Sequence, residues 1–287
     1  MPELPEVETV RLGLSPVLTG ARLARVDARR AGLRFAFPEG FVQRLTGARV
    51  QGLARRGKYI LAGLDSEETL IIHLGMTGRF EIEGAAGPAP TGAFALAAPA
   101  DPRHAHVVFE TDAGARLTFF DARRFGSMDL IATSELGAYP VLAGMGPEPL
   151  GGAFDAAYLK AVFAGRRQGA KALLLDQRIV AGIGNIYACE ALHRAGVSPV
   201  KPAGAIGGRK RDAIIPAVRS VLNEAILAGG STLRDYASAD GALGYFQHRF
   251  QVYGRAGERC LAAGCGGGIQ RVVQAGRSTF HCPRCQR

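Results

Sequence analysis

The hydrophobic pattern of this chain changes period once, near Pro147-Glu148-Pro149, and that change limits what each part can fold into. Across residues 21–132 the apolar residues come in short β-branched or alternating stretches, such as Lys58-Tyr59-Ile60-Leu61 and Thr69-Leu70-Ile71-Ile72-His73-Leu74. Another, His106-Val107-Val108-Phe109-Glu110, runs through Asp112-Ala113-Gly114 into Arg116-Leu117-Thr118-Phe119-Phe120, which predicts a hairpin. Short strands separated by turn residues predict a β-sandwich or barrel. Beyond Pro149 the residues at 158–163, 171–175, 185–195 and 211–227 are apolar at helical spacing, and Gly182, Gly184, Gly196, Gly229 and Gly230 punctuate them. A third unit starts near Tyr253. No internal repeat is evident.

Charge divides the chain at the same place. Residues 1–150 hold 16 basic and 17 acidic side chains, while residues 151–287 hold 19 and 8, so the net +10 belongs to the second half. A neutral half joined to a strongly basic one predicts a catalytic or scaffold part beside a part that binds a polyanion, nucleic acid above all. Hydrophobic content of 47% and charged content of 21% exclude a disordered or collagen-like chain. No apolar run approaches the ~18 residues of a membrane helix, and the acidic start Pro-Glu-Leu-Pro-Glu-Val-Glu is not a signal peptide. The expectation is a soluble, cytoplasmic protein. Residues 84–102 carry 15 Gly, Ala or Pro in 19 positions and read as a long mobile loop.

Four of the five cysteines, Cys260, Cys265, Cys282 and Cys285, fall in the last 28 residues as C-x4-C, a 16-residue spacer and C-x2-C. Paired thiols across a short spacer suit one tetrahedral Zn2+. Residues 269–273 and 278–281 alternate, so the unit reads as a two-stranded zinc ribbon whose folding energy comes from a structural metal. Disulfides are the alternative, disfavoured in a chain without a secretory signal. The first spacing is unusually wide. His281 is a further candidate ligand, though four cysteines already suffice, and Cys189 reads as a buried core thiol. Arg271, Arg277 and Arg284 on the ribbon favour phosphate contact over a merely solvated face.

Pro2 follows Met1, and a small second residue permits removal of the initiator methionine. The exposed secondary amine would have the low pKa of a chain terminus, roughly 7.7–8.0. It can attack an aldehydic or acetal carbon and form an iminium. Glu3 and Glu6 stand beside it as candidate proton carriers.

From here the sequence resembles a known family. Pro-Glu-Leu-Pro-Glu-Val-Glu-Thr at 2–9 is similar to the N-terminal signature of bacterial formamidopyrimidine-DNA glycosylase. The resemblance continues in order through Gly57-Lys58-Tyr59, His73-Leu74-Gly75-Met76, Asp121-Ala122-Arg123-Arg124-Phe125-Gly126, Gly146-Pro147-Glu148-Pro149-Leu150, Gly184-Asn185-Ile186-Tyr187-Ala188, Gln251-Val252-Tyr253-Gly254-Arg255 and the cysteines. It implies an α+β chain: a β-sandwich catalytic domain at 1–147, a helix-two-turn-helix DNA-binding domain at 148–250 and a zinc ribbon at 251–287. Duplex DNA with oxidised bases or abasic sites would lie in the cleft between the domains, bound by a monomer that needs no catalytic metal.

The resemblance also assigns roles. Pro2 would attack the sugar C1′ and leave a Schiff base, with Glu3 protonating the ring oxygen. Lys58 would be the acid for β-elimination or hold the phosphate, and Arg277 would act in δ-elimination. Met76, Arg123 and Phe125 match a wedge that fills the stack left by an extruded base, with Arg123 facing the orphaned cytosine. His104, Arg166, Lys171, Asn185 and Tyr253 match DNA-backbone contacts, Asn185 opening a helix whose free N–H groups suit phosphate. A Gly-rich segment at 231–245, with Arg234 near its start, would be a mobile lid over the damaged base. Two rivals stand beside this reading: the pyrimidine-preferring sister enzyme, endonuclease VIII, and a non-catalytic DNA-binding zinc-ribbon protein. Simple binding requires none of Pro2, Glu3, Lys58 and Arg277 in particular, which disfavours the last.

Overall fold

The computed structural model describes residues 2–84, 101–231 and 245–287. The loop expected at 84–102 and the lid expected at 231–245 fall, but for their ends, outside the described residues. The chain folds as two compact units, Met1–Ala143 with Ile226–Gln247, and Gly144–Ala225 with His248–Arg287. Strands come first and helices afterwards, so the mixed α+β class expected from the two periods holds.

The first unit opens with a helix that the strand-like reading passed over, α1 (Leu4–Leu18). Val7, Val10, Leu14 and Leu18 recur at three- and four-residue spacing and are all buried, which is an amphipathic stripe. The strands that follow are β1 (Leu23–Ala28), then, after the short α2 (Phe41–Leu45), β2 (Val50–Arg56), β3 (Tyr59–Leu64), β4 (Glu68–His73), β5 (Arg79–Glu83), β6 (Ala105–Thr111), β7 (Arg116–Phe120) and β8 (Ser127–Ala132). They make two antiparallel four-stranded sheets, ordered β1-β6-β7-β5 and β2-β3-β4-β8. Alternate residues of both, among them Ile60, Ala62, Ile72, Val107, Phe109, Leu117, Phe119 and Leu130, join α1 in one core. That is a sandwich with α1 closing its side. The predicted hairpin pairs β6 with β7 across Gly114, whose φ is +80. A one-turn helix, α3 (Pro140–Ala143), ends the unit's first segment.

The second unit is helical: α4 (Ala156–Phe163), α5 (Ala170–Leu175), α6 (Asn185–Arg194) and α7 (Gly208–Leu227). Asp155 caps α4 by accepting from the Tyr158 N–H at 2.7 Å. The chain then closes with β9 (Gln270–Gln274) and β10 (Arg277–His281), an antiparallel pair. Ala275 and Gly276 both have positive φ, +47 and +72, the conformation of a two-residue type I′ turn. Arg277 is the first residue after it.

Candidate functional site

In the first unit Pro2 is buried and Glu3, only 3% exposed, caps α1. The Glu3 N–H donates to Glu6 Oε2 at 2.8 Å. The other Glu6 oxygen accepts from the N–H and hydroxyl of Ser231, at 2.9 and 3.0 Å. Glu6 is therefore an anchor more than a proton carrier. It ties the start of the chain to the foot of the 231–245 segment, which Ser231 and Tyr245 close with a β-bridge.

Lys58 sits in the turn between β2 and β3, after Gly57 at φ +55, and is 8% exposed. Two contacts fix how α1 lies along β2: Arg11 donates to the Leu53 carbonyl at 3.2 Å, and Arg55 donates to Glu8 at 2.9 Å. Going back from Glu8 to Glu3 covers about 7.5 Å of helix axis, and going on from Arg55 leaves β2 after Arg56 and enters the turn that holds Lys58. The two paths run the same way, so Pro2, Glu3 and Lys58 share one end of the helix–strand layer. Beside them His73 pairs with Tyr59 across β3 and β4, the rings 4.7 Å apart. Burial, helped by the charges of Lys58 and Arg34, lowers the imidazole to about 4. It stays neutral near pH 7 and accepts the Gly75 N–H at Nδ1, 3.1 Å away.

Gly75 begins the loop that carries Met76, which is half-buried, while Arg123 and Phe125 are exposed on a second loop. The Arg123 guanidinium lies 4.6 Å from the centre of the Phe125 ring. Asp121, wholly buried, joins the two loops: its carboxylate accepts from the Thr77 hydroxyl and, at 2.7 Å, from the Gly126 N–H. Thr77 in turn accepts the Arg123 N–H at 3.1 Å. The loops meet so closely that a Cβ on Gly75 (φ +64) would collide with the backbone of Phe125 and Gly126. The two loops that carry Met76, Arg123 and Phe125, the residues expected to form a wedge, are thus brought together. His104 belongs to the same constellation, since its carbonyl accepts the Asp121 N–H at 3.0 Å. Leu33, Arg34, Arg123, Arg124 and Phe125 line an open, basic concavity there.

The second unit gathers another group around β10. Asn185, the first residue of α6, donates to the Ser278 carbonyl at 2.9 Å and to the Tyr253 hydroxyl at 3.4 Å. Its Oδ1 is buried without a hydrogen-bond partner. Lys171, expected at the DNA backbone, lies inside the fold. It is 1% exposed, and its ammonium donates to Thr279 Oγ1 at 2.7 Å and to the Ser278 carbonyl at 3.3 Å. Through these bonds Lys171 supports the strand that carries Arg277. Arg277 and Arg166 are exposed. Glu190 on α6 organises the Gln251-Val252-Tyr253 turn by accepting its successive backbone N–H groups at 2.9, 3.0 and 2.8 Å. Burial nonetheless holds this carboxyl above its ordinary pKa.

The four cysteines of the tail converge until their sulfur atoms all lie within 4.8 Å of one another. Cys265 and Cys282 are 3.5 Å apart, Cys260 and Cys285 3.9 Å. A tetrahedron of ~2.3 Å Zn–S bonds has edges of about 3.8 Å, so the donor set fits zinc. None of these cysteines is in a disulfide. Burial alone would raise the Cys282 thiol, but backbone N–H groups of Cys285 and Arg284 directed at it bring it down to about 7. The wide C-x4-C spacing is absorbed by a turn in which the Cys265 N–H bonds the Ala262 carbonyl at 3.0 Å. A Cβ on Gly267 would press against the sulfur of Cys282 at 2.9 Å, so this cradle needs glycine. His281 lies outside the sulfur set, and Cys189 packs against it from α6.

Comparison with known proteins decides the family. Residues 1–128 match the formamidopyrimidine-DNA glycosylase N-terminal domain, residues 145–237 its H2TH domain, and residues 257–287 a zinc finger found in the same family and in IleRS. The chain belongs to the formamidopyrimidine-DNA glycosylase family. It is 63% identical over 287 residues to the formamidopyrimidine-DNA glycosylase of Phenylobacterium zucineum and 61% identical over 286 residues to that of Caulobacter vibrioides, covering all of each chain. The crystal structure of the MutM (FPG) protein of Thermus thermophilus is similar at 39% identity and a TM-score of 0.83, with 99% of this chain and 98% of that one covered. A Lactococcus lactis Fpg bound to DNA containing an abasic site is similar at 34% identity and a TM-score of 0.85, with 99% of each covered.

Against the formamidopyrimidine-DNA glycosylase pattern, sequence reasoning did not give the residues that hold the site together their anchoring part: Glu6 reads there as a proton carrier, Asp121 only as part of a motif, and Thr77 and Glu190 not at all. Glu6, Thr77, Asp121 and Glu190 are buried or half-buried polar groups bonded to backbone and hydroxyl donors. A lone acid inside an apolar stretch, as at Glu190, was the available signal, because an acid is rarely buried without a purpose.

Proposed function

We propose that this chain removes oxidised purines, 8-oxoguanine and formamidopyrimidines, from double-stranded DNA and then cuts the strand by β,δ-elimination. Loss of Met1 frees the Pro2 amine, whose nitrogen bonds to C1′ as the base leaves with the glycosidic electron pair. Glu3 protonates the ring oxygen as the C1′–O4′ bond opens, leaving an iminium between protein and sugar. Loss of a C2′ proton expels the 3′ phosphate, with Lys58 supplying a proton or holding that phosphate. A second elimination, assisted by Arg277, expels the 5′ phosphate and leaves a one-nucleotide gap. Met76, Arg123 and Phe125 occupy the space of the extruded nucleotide, Arg123 bonding the orphaned cytosine. His104, Arg166, Asn185 and Tyr253 contact the backbone. Zinc folds the ribbon and takes no part in the chemistry. The enzyme acts as a monomer in the bacterial cytoplasm, on nucleoid DNA; no described helix is long and apolar enough to cross a membrane.

The observation that carries this reading is the placement of Pro2, Glu3 and Lys58 at one end of the α1–β2 layer, with the first two residues anchored through Glu6. A binding protein has no need of a buried acid and a buried lysine beside its N-terminal proline. The test is incubation with duplex carrying 8-oxoguanine opposite cytosine in the presence of borohydride. A covalent complex is expected with wild type, and Pro2→Gly should keep DNA binding while losing about a thousandfold or more of strand cleavage. Absence of a trapped species on both oxidised-purine and abasic duplex would refute the enzyme. Trapping only on oxidised pyrimidine would place the chain with the sister activity.

A further inference from the structure

The zinc site has a neighbour that none of the family motifs contains. His193 lies on α6, two turns after Asn185 and one after Cys189, so the three share the face that meets the ribbon. Its Nε2 is 3.4 Å from Cys260 Sγ and 3.7 Å from Cys285 Sγ, and the side chain is buried. Those two sulfurs define one edge of the tetrahedron, 3.9 Å long. A fifth ligand would stand close to all four sulfurs, yet His193 is not among the atoms lying mutually within 4.8 Å. The imidazole therefore sits outside the edge and faces it.

We infer that His193 is a hydrogen-bond donor to the zinc-bound thiolates of Cys260 and Cys285, a positioning residue that raises metal retention without touching the metal. Four thiolates around Zn2+ leave an excess of negative charge in a buried place. Zinc-bound thiolates can only accept, so the facing Nε2 carries its hydrogen and shares it between the two sulfurs. Outer donors of this kind orient the ligands and are worth roughly 10–100-fold in metal affinity. The same bond fixes the far end of α6 to the metal, while Asn185 fixes its near end to β10 at Ser278. One helix thus spans from the metal to a residue proposed to meet the DNA backbone, and its rotation about its axis is set at both ends.

The decisive measurement uses the unaltered chain with 113Cd in place of zinc and 15N-labelled histidine. We expect a cadmium shift typical of four sulfurs, with scalar coupling from cadmium across the hydrogen bond to the His193 Nε2–H. A shift typical of three sulfurs and one nitrogen would overturn the assignment by making His193 a ligand; a four-sulfur shift without coupling would overturn it by removing the bond. In parallel, zinc transfer from the holoprotein to a chromogenic chelator should be about tenfold faster for His193→Phe, which fills the space without a donor. It should be close to wild type for His193→Gln, which keeps an N–H. Equal rates for wild type and a folded Phe variant would refute the inference, and if that variant does not fold the coupling decides alone.

Discussion

Each unit holds its working residues with bonds of opposite sense. In the first, buried carboxylates accept: Asp121 draws the Met76 and Arg123–Phe125 loops together, and Glu6 ties Glu3 to Ser231. In the second, buried cationic and amide groups donate: Lys171 and Asn185 grip the carbonyl and hydroxyl groups of β10, and four cysteine sulfurs converge as a donor set for zinc. Glu190 is the second unit's exception. The comparison corrects what a charge count implies. The near-neutral first half spends Glu3, Glu6 and Asp121 inside the fold, while Arg34, Arg123 and Arg124 remain around a surface concavity. Its surface at the wedge is therefore positive although its sum is not, which is what a DNA-facing surface requires.

Metal removal tests the difference most strongly. A sandwich with a large apolar core should ignore a chelator, whereas the ribbon's small core is built around its cysteines. Structural zinc contributes apparent binding energies of about 10 kcal/mol or more in small fingers. Chelation is expected to abolish amide protection in β9 and β10 and to weaken DNA binding, leaving the first unit's melting transition in place. Retained protection of the Arg277–His281 strand in metal-free protein would break the contrast.

Next comes Asp121→Asn, which removes charge while preserving shape. The remaining oxygen can keep the Gly126 N–H, but the charge is lost from both bonds and the Thr77 hydroxyl must turn to accept, so the first unit should lose about 1 kcal/mol. Excision opposite cytosine should fall more than affinity for a duplex already abasic, because the wedge loops lose their common anchor. Equal falls in both would show that Asp121 serves stability alone.

What could be read in advance follows the same division. The strands of the sandwich and the helices at 156–163, 170–175 and 185–194 were legible because alternation and helical spacing leave marks in a single sequence. Helix α1 is less legible, although Val7, Val10, Leu14 and Leu18 carry its period, because Pro2, Pro5 and Pro16 interrupt the helical pattern. The cysteines could be placed from spacing alone. The burial of Lys171 is not legible in the sequence, because only the fold brings Thr279 and Ser278, a hundred residues away, around its ammonium. Asp121 and Glu6 gain their meaning in the same way, from partners that the chain's order does not bring together.

Acid offers a finer probe. His73 is held neutral by burial, its pKa depressed to about 4 from 6.5, and its Nδ1 must be bare to accept the Gly75 N–H. A depressed pKa contributes stability present above the unfolded value and lost as pH falls towards the folded one. The first unit should therefore weaken from pH 6.5 towards pH 4, by about 1 kcal/mol at pH 5.5. Glu190 acts oppositely: its raised pKa contributes stability below about 4.5 that is lost as pH rises. Melting of the first unit at pH 7 and pH 5.5 should show this drop, and His73→Gln should remove a large part of it, with His106, also lowered by burial, keeping the remainder. An unchanged drop in the His73→Gln variant would refute this account.

The smallest effect is expected at Arg166, and its form matters more than its size. The backbone of this residue is fixed, its N–H bonded to the Phe163 carbonyl at 3.1 Å and its carbonyl to the Gly204 N–H at 3.0 Å, while the guanidinium stands at the surface. Such a group can neutralise one phosphate without reading a base. Arg166→Ala should lower affinity by about two- to fivefold for damaged and intact duplex alike, and reduce the slope of log K against log salt by about 1. Strand cleavage at saturating substrate should not change, because the charge acts on binding and not on the iminium chemistry of the first unit. An unchanged salt slope would remove Arg166 from the DNA surface, and a selective loss on damaged duplex would give it a role in recognition that a plain phosphate contact cannot have.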